Sequence, residues 1–315
     1  MAEPPVHQYR GRLAPSPTGY LHLGHARTFW IAWQRARAAH GKLIFRNEDL
    51  DYQRCKPEFV RAMYEDLRWL GLDWDEGFDL NSDVSQGSSG PYLQSERGSF
   101  YLDAWRQLRD GGFIYPCTCS RKDLERALSA PHEEPLHAAD VGSDLFHAAD
   151  DEIPYPGTCR EKTANARDWE SPAGVSWRFQ VPDGETTSFD DRNFGRQEFA
   201  AGRDFGDFLL WRRDDIPAYQ LAVVVDDATM QVTEVVRGAD LLKSTARQLL
   251  LFRALGYSVP EYFHCPLLHN EKNVRLAKRH DALSLRKLRE QWVEAEELRK
   301  RFEEEVEWDK NLFGP

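Results

Sequence analysis

GRLAPSPTGYLHLGHARTFW, residues 11–30, sets two prolines, three glycines and two histidines between an apolar run and an amphipathic one. Residues 8–14 (QYRGRLA) have the make-up of a short strand. Pro15 and Pro17 cannot donate to a continuing ladder, and Thr18-Gly19 makes a turn. Leu23, Ala26, Phe29, Trp30 and Trp33 then recur at helical spacing. A strand that turns abruptly into a helix opens a βα unit. The helix N-terminus there is an anion site, because its first amides are unpaired and its dipole is positive. His22 and His25, at that point, can donate to phosphate oxygens.

Outward from this stretch, Lys42–Arg46 (KLIFR) reads as an apolar strand that ends in Asn47-Glu48-Asp49. Pro57 to Leu70 reads as a second helix, stopped by Gly71. Strand, helix, strand, helix predicts a doubly wound α/β domain. Residues 81–91 (NSDVSQGSSGP) read as loop, and a helix is expected around Ser95–Asp110, ending at Gly111-Gly112. Residues 120–154, rich in Ala, His, Asp and Glu, read as irregular or mobile. Residues 173–210 alternate as strands do. Ala218–Val225 (AYQLAVVV) reads as a buried strand and Val232–Val236 as another. Leu241–Leu255 reads as a strong helix, and the chain from Leu283 onward as charge-laced helix.

The chain has 315 residues, 41% of them hydrophobic and 12% aromatic, which suits a sizeable core and argues against wholesale disorder. A net charge of −11 speaks to solubility, and leaves room for a local basic stripe. No apolar run reaches membrane-spanning length, and MAEPPVHQYR is not a signal peptide, so a cytoplasmic protein without a membrane partner is expected. The five cysteines, Cys55, Cys117, Cys119, Cys159 and Cys265, are uneven in number and spacing; they read as cytosolic thiols or a metal site.

His22-Leu23-Gly24-His25 resembles the HIGH signature of class I aminoacyl-tRNA synthetases. Arg275-Leu276-Ala277-Lys278-Arg279, far downstream, resembles the lysine motif of the same class. RLAPSPTGYLHLGHAR, FRNEDLD, YQLAVVVDD and EVVRGADLL resemble the glutamyl branch in particular, and the similarity runs from about residue 9 to 290. The resemblance implies a Rossmann-like catalytic domain that joins L-glutamate to the α-phosphate of ATP, with Mg2+ accompanying the nucleotide. It implies that His22, Gly24 and His25 bind the ATP phosphates, and that Lys278 swings in to neutralise them as catalytic charge. By the same resemblance Arg12 and Arg237 hold the side-chain carboxylate of glutamate, suited to it by bidentate geometry. Glu48 receives the ammonium, Ala14 and Ser16 line the pocket, and Tyr219 closes it. Taken singly, each of these residues would be an ordinary surface or core group.

Cys117-Thr118-Cys119 and Tyr155-Pro156-Gly157-Thr158-Cys159 resemble a Cys-x-Cys … Tyr-x-x-x-Cys zinc site in the family's insertion, which faces the tRNA acceptor end. Three thiolates and one further ligand suit a tetrahedral structural zinc. Residues 120–154, a longer separation than the family pattern, leave the fourth ligand open between Tyr155 and His132, His137 or His147. The expected division is a first catalytic half (1–110), an inserted subdomain with the zinc site (111–200), a second catalytic half (201–256), and the lysine-motif loop with a helical stem (257–315). Only residues 279–315 follow Lys278, too few for an anticodon-binding domain. The chain therefore resembles the truncated paralogues of the glutamyl enzymes, which activate glutamate without tRNA and place it on the queuosine base in the anticodon loop of tRNA(Asp). Val223, where asparagine is expected in many full-length glutamyl enzymes, agrees with that branch. The alternative is a catalytic fragment of an ordinary or discriminating glutamyl enzyme charging a 3′ end. A binding paralogue without activity, or a small-molecule nucleotidyltransferase, would not need the whole residue set. A monomer is expected.

Overall fold

The computed structural model describes residues 8–79, 84–120, 155–161, 166–268 and 284–305. The segment carrying Lys278, the three histidines His132, His137 and His147, and residues 121–154 lie outside the described residues.

The opening stretch folds as its punctuation dictates. Strand β1 (Arg10–Leu13) stops before Pro15, and helix α1 (Leu23–Ala38) begins directly after His22. Strand β2 (Lys42–Phe45) returns parallel to β1, pairing Arg10 with Lys42 and Leu13 with Phe45. Helix α2 (Pro57–Trp69) leads to β3 (Glu76–Asp79), parallel to β2. Pro57 stands in the first turn of α2, where a missing N–H costs nothing. Gly71 at φ +84 lets the chain leave that helix. A short antiparallel edge strand, β4 (Val84–Gln86), pairs with β3, so part of the 81–91 stretch read as loop is strand. Val84 and Gln86 sit two apart around a single serine, too short a run for an alternating pattern to register.

Helix α3 (Gly98–Asp110) precedes β5 (Ile114–Cys117), which joins β6 (Ser176–Phe179) and β9 (Phe208–Trp211) in an antiparallel sheet. Between them β7 (Thr186–Asp191) and β8 (Gly195–Ala200) form a hairpin. Ala218–Val225, expected as a buried strand, is instead helix: α4 spans Tyr219–Thr229. Every residue from Gln220 to Asp227 is buried, so over those eight residues the helix has no solvent face. Without one, its side chains show no amphipathic period, and an all-round apolar run looks like a core strand. The segment expected as strand over Val232–Val236 is β10, at Glu234–Gly238. Helix α5 (Leu242–Leu255) and β11 (Glu261–Cys265) follow. β11 is parallel to β10 along its length and touches β7 through Tyr262 and Asp191. The chain closes with α6 (Leu285–Glu290) and α7 (Ala295–Glu305).

β10 lies beside β1, where the Thr233 N–H donates to the Arg10 carbonyl at 2.9 Å. The order β3-β2-β1-β10-β11 therefore reverses direction of growth between β1 and β10. Parallel strands on both sides of that point are covered on two faces. Leu13, Trp30, Leu43, Met63, Leu67 and Phe263 belong to one core, with α1, α2, α6 and α7. Trp105, Trp177, Phe208, Leu221, Val224 and Leu251 belong to another, with α3, α4 and α5. This is the α/β doubly wound arrangement expected from the sequence, and the reversal between β1 and β10 is where such sheets open a crevice for ligands. No helix among the described residues is long and apolar enough to cross a membrane.

Candidate active site at the sheet reversal

Arg12 projects from β1 and is 5% exposed. Its Nη1 donates to the Val236 carbonyl on β10 at 2.8 Å, and its Nε lies 3.5 Å from Asp227 Oδ1. The same cleft takes Glu48, from the end of β2. The Glu48 N–H donates to the Pro15 carbonyl at 3.1 Å, which seats the carboxylate against the Ala14–Ser16 turn. Ser16 Oγ is 3.4 Å from Glu48 Oε2, and Arg46 Nη2 is 3.1 Å from Oε1. Burial pushes the Glu48 carboxyl above its ordinary range, while Arg46 and Arg12 pull it back. A carboxylate so placed gains from a second cation. Ala14 is half-buried in the turn directly after β1.

Arg237, on β10, is 4% exposed. Its Nη1 is 3.5 Å from the hydroxyl of Tyr219, the first residue of α4. Its Nη2 donates to Thr245 Oγ1 at 2.7 Å, and its Nε faces His264 Nε2 at 3.2 Å. The guanidinium also sits 5.3 Å from the ring centre of Tyr262. Desolvation raises the Tyr219 hydroxyl above its usual range, with Arg237 opposing it, so the phenol stays protonated and able to donate. The fold thus brings Arg12, Ser16, Glu48, Tyr219 and Arg237 to one crevice from four separate elements.

The turn that carries Ala14 and Ser16 leads on into the N-terminus of α1. His22 is the residue before the first turn; among the described residues its side chain makes no capping bond, and the first turn holds no acidic residue. The His22 and His25 rings stack with centroids 3.8 Å apart. A Cβ at Gly24 would sit in ordinary van der Waals contact with the His22 ring, at 3.4 Å. A helix N-terminus with stacked imidazoles is a place where an anion can be received. Ser284 bridges His22, with the Leu285 N–H donating to the Leu21 carbonyl at 2.8 Å, and Arg27 donates to the Pro266 carbonyl.

Sequence reasoning missed the support beneath these groups. Arg46 is wholly buried and bonds Asp227 at 2.7 Å as well as Glu48. Asp226 is held by Arg97 (2.6 Å), Gln94 (2.7 Å) and Tyr101 (3.0 Å). His264 Nδ1 lies 2.6 Å from Asp191 Oδ2. Two adjacent carboxylates, Asp226 and Asp227, directly after the apolar run Val223–Val225 were the available signal, because buried carboxylates need partners.

The cysteines also converge. The Sγ atoms of Cys117, Cys119 and Cys159 lie within 4.8 Å of one another. The Tyr155 hydroxyl is 3.5 Å and 3.4 Å from Cys117 and Cys119, and accepts from the Cys159 N–H at 3.1 Å. Tetrahedral thiolates at ordinary zinc distances sit about 3.8 Å apart, so these donors fit zinc. Burial alone would raise the Cys159 thiol; hydrogen bonds from Tyr155, the Thr118 backbone and the other two cysteines outweigh it and bring it to about 7. The Arg178 guanidinium lies 3.8 Å from the Tyr155 ring centre.

The family model described as tRNA synthetases class I (E and Q), catalytic domain, matches residues 8–302. The chain belongs to that family. Its members are ATP-dependent ligases, and this class I chain is similar to several curated relatives. The glutamyl-Q tRNA(Asp) synthetase of Nitratidesulfovibrio vulgaris is 47% identical, over 91% of this chain and 82% of its own. The protein of that name from Symbiobacterium thermophilum is 48% identical, over 89% and 80%. A glutamate–tRNA ligase of Acidithiobacillus ferrooxidans is 43% identical, but only 56% of it is covered. Among solved structures, the glutamate-tRNA synthetase of Elizabethkingia anophelis superposes with a TM-score of 0.70 at 28% identity. The match covers 87% of this class I chain and 53% of that one, so the chain spans about half the length of the solved relative.

Proposed function

We propose that the crevice between β1 and β10 activates L-glutamate with ATP and that the chain passes the glutamate to the queuosine base of tRNA(Asp), in the cytoplasm. The observation that carries the reading is the grouping of two buried guanidiniums, Arg12 and Arg237, with a desolvated carboxylate, Glu48, around Tyr219, where the turn after β1 leads into the His22-Leu23-Gly24-His25 start of α1. Glutamate has the complementary charges: a side-chain carboxylate for the guanidiniums and an ammonium for Glu48. Its α-carboxylate is then directed toward the phosphates seated at His22, Gly24 and His25. An α-carboxylate oxygen attacks the α-phosphorus, the bond to the β-phosphate oxygen breaks, and pyrophosphate leaves. Lys278, outside the described residues, neutralises the charge that builds on the phosphates. The flanking residues Pro266 and Ser284 are both tied to the start of α1, which supports that assignment. Mg2+ accompanies ATP. In the second step a hydroxyl of the queuosine cyclopentene diol attacks the activated carbonyl and AMP leaves.

Zinc at Cys117, Cys119, Cys159 and Tyr155 would brace the β5–β6–β9 region, taken as the insertion that meets the RNA. The choice of acceptor rests on identity: two glutamyl-Q relatives, at 47% and 48%, are more similar than the glutamate–tRNA ligase at 43%. The test is incubation with labelled glutamate, ATP and queuosine-containing or unmodified tRNA(Asp). The expected product carries label only with queuosine, is labile to mild base, and survives removal of the 3′-terminal nucleotide. Pyrophosphate exchange should need glutamate and no tRNA. Label lost with the terminal adenosine would assign the chain to the glutamate–tRNA ligase reading instead.

A further inference from the structure

Arg237 is a long, flexible side chain that must meet a carboxylate in one orientation, and its surroundings fix that orientation through hydrogen bonds whose direction can be worked out. Asp191 closes β7 at its junction with β11. Its Oδ1 accepts from the amides of Asn193 (3.0 Å) and Phe194 (2.9 Å), and its Oδ2 from the amide of His264 (3.2 Å). Against the burial that would raise it, these bonds and the His264 ring hold the Asp191 carboxyl below its ordinary range. Asp191 is therefore an acceptor only. The His264 Nδ1, 2.6 Å from it, must carry a proton.

His264 is fully buried. Burial pushes its pKa down to about 4, with Arg237 and Arg12 adding to the effect and Asp191 opposing it. The ring is neutral at pH 7, so a proton on Nδ1 leaves Nε2 bare. Bare Nε2 accepts from Arg237 Nε–H at 3.2 Å. The opposite tautomer would set two N–H groups against each other. Thr245 Oγ1 accepts from Arg237 Nη2 at 2.7 Å and has the Leu241 carbonyl (3.3 Å) and the bare His264 Nε2 (3.2 Å) as acceptors for its own proton. Two of the three guanidinium nitrogens are thereby anchored. Nη1 has the Tyr219 hydroxyl at 3.5 Å, longer than an ordinary hydrogen bond, and is the end left for a ligand.

We propose that Asp191 and His264 are positioning residues for Arg237: Asp191 fixes the imidazole in the tautomer that accepts from Nε–H, which aims Nη1 at the side-chain carboxylate of the substrate. The inference rests on the glutamate reading of the crevice for the identity of that carboxylate, and on geometry alone for the tautomer. It also links β7 to the substrate pocket, since Asp191 reaches Arg237 only through β11.

The experiment has two arms. In the first, the imidazole nitrogens of the 15N-labelled wild-type protein are observed by NMR at pH 7. His264 should carry its proton on Nδ1. A ring protonated at Nε2, or at both nitrogens, would overturn the proposal whatever the substrate is. In the second, Asp191→Asn keeps Oδ1 for the amides of Asn193 and Phe194, leaves the His264 amide the same Oδ1 at 3.4 Å in place of Oδ2, and turns an NH2 toward Nδ1. The ring should switch to the Nε2–H form, and the KM for glutamate in pyrophosphate exchange should rise at least about tenfold, as for one misdirected charge-assisted hydrogen bond. The KM for ATP should stay within about twofold, since no bond to the phosphate seat changes. An unchanged glutamate KM with a switched ring would refute the role. His264→Gln, which keeps an acceptor near Nε2, should bind glutamate better than His264→Leu, which keeps none. Equal KM values for these two would mean the ring merely fills space. Should the wild-type protein lack glutamate-dependent exchange, the functional reading fails, and the tautomer still decides the positioning claim.

Discussion

Replacing Glu48 with glutamine removes a charge and almost nothing else. The residue is 9% exposed, and its two side-chain oxygens lie 3.1 Å from Arg46 Nη2 and 3.4 Å from Ser16 Oγ. In Glu48→Gln the amide oxygen still accepts from Arg46, and the NH2 faces Ser16. Arg46 is not orphaned, because Asp227 remains at 2.7 Å and Asp226 at 3.7 Å. The large penalty for stranding a buried charge therefore does not arise. The desolvation that pushes the Glu48 carboxyl up also disappears. Stability should change little, with the melting temperature within about 3 °C of the parent. Glutamate use should change a great deal. The substrate ammonium loses its charged acceptor and meets an NH2, at a cost of roughly 1.5–3 kcal/mol. That corresponds to about a 10- to 150-fold rise in the glutamate KM. Pyrophosphate exchange measured against both substrates, with a thermal melt of each protein, separates the effects. A matching rise in the ATP KM, or a melting temperature lower by tens of degrees, would show that Glu48 holds up the fold and does not receive the ammonium.

Acid should destabilise the protein through His264. Burial holds its pKa down at about 4 in the fold, below the ordinary histidine value of 6.5, so the unfolded chain binds the extra proton between those limits. Stability then falls as pH drops from about 6.5 to about 4, by at most about 1.4 kcal/mol per pH unit for this one group. Denaturant midpoints across that window should fall less steeply in His264→Gln; equal slopes would remove the histidine from the account. The cysteine cluster should hold about one zinc per chain, and chelation should open Cys117, Cys119 and Cys159 to alkylation. Zinc content that is unchanged in Cys119→Ser would place the metal elsewhere.

Much was fixed by local chemistry. Pro15, Pro17 and the glycines force the chain off β1, and the period of Leu23 to Trp33 then demands a helix whose first turn has nothing acidic to cap it. Gly71 ends α2 because the chain there needs φ +84, open to glycine at little cost. These are decided within a few residues, so a linear reading finds them. The resemblance likewise named Arg12, Glu48, Tyr219 and Arg237, one residue at a time, without saying what would hold them.

Only the tertiary structure decided the rest. YQLAVVVDD is helix and not strand because α4 is wrapped on all sides. Burial erased the amphipathic period from which a helix would be read, and long-range packing overrode the β-preference of three consecutive valines. Arg46, Asp226, Asp227, Asp191 and His264 belong to the site through partners distant in sequence: Asp227 for Arg46, Arg97 for Asp226, β11 for Asp191. A buried charge is stable only where its counter-charge arrives in space. That arrival is a property of the β1–β10 junction, which no stretch of sequence contains.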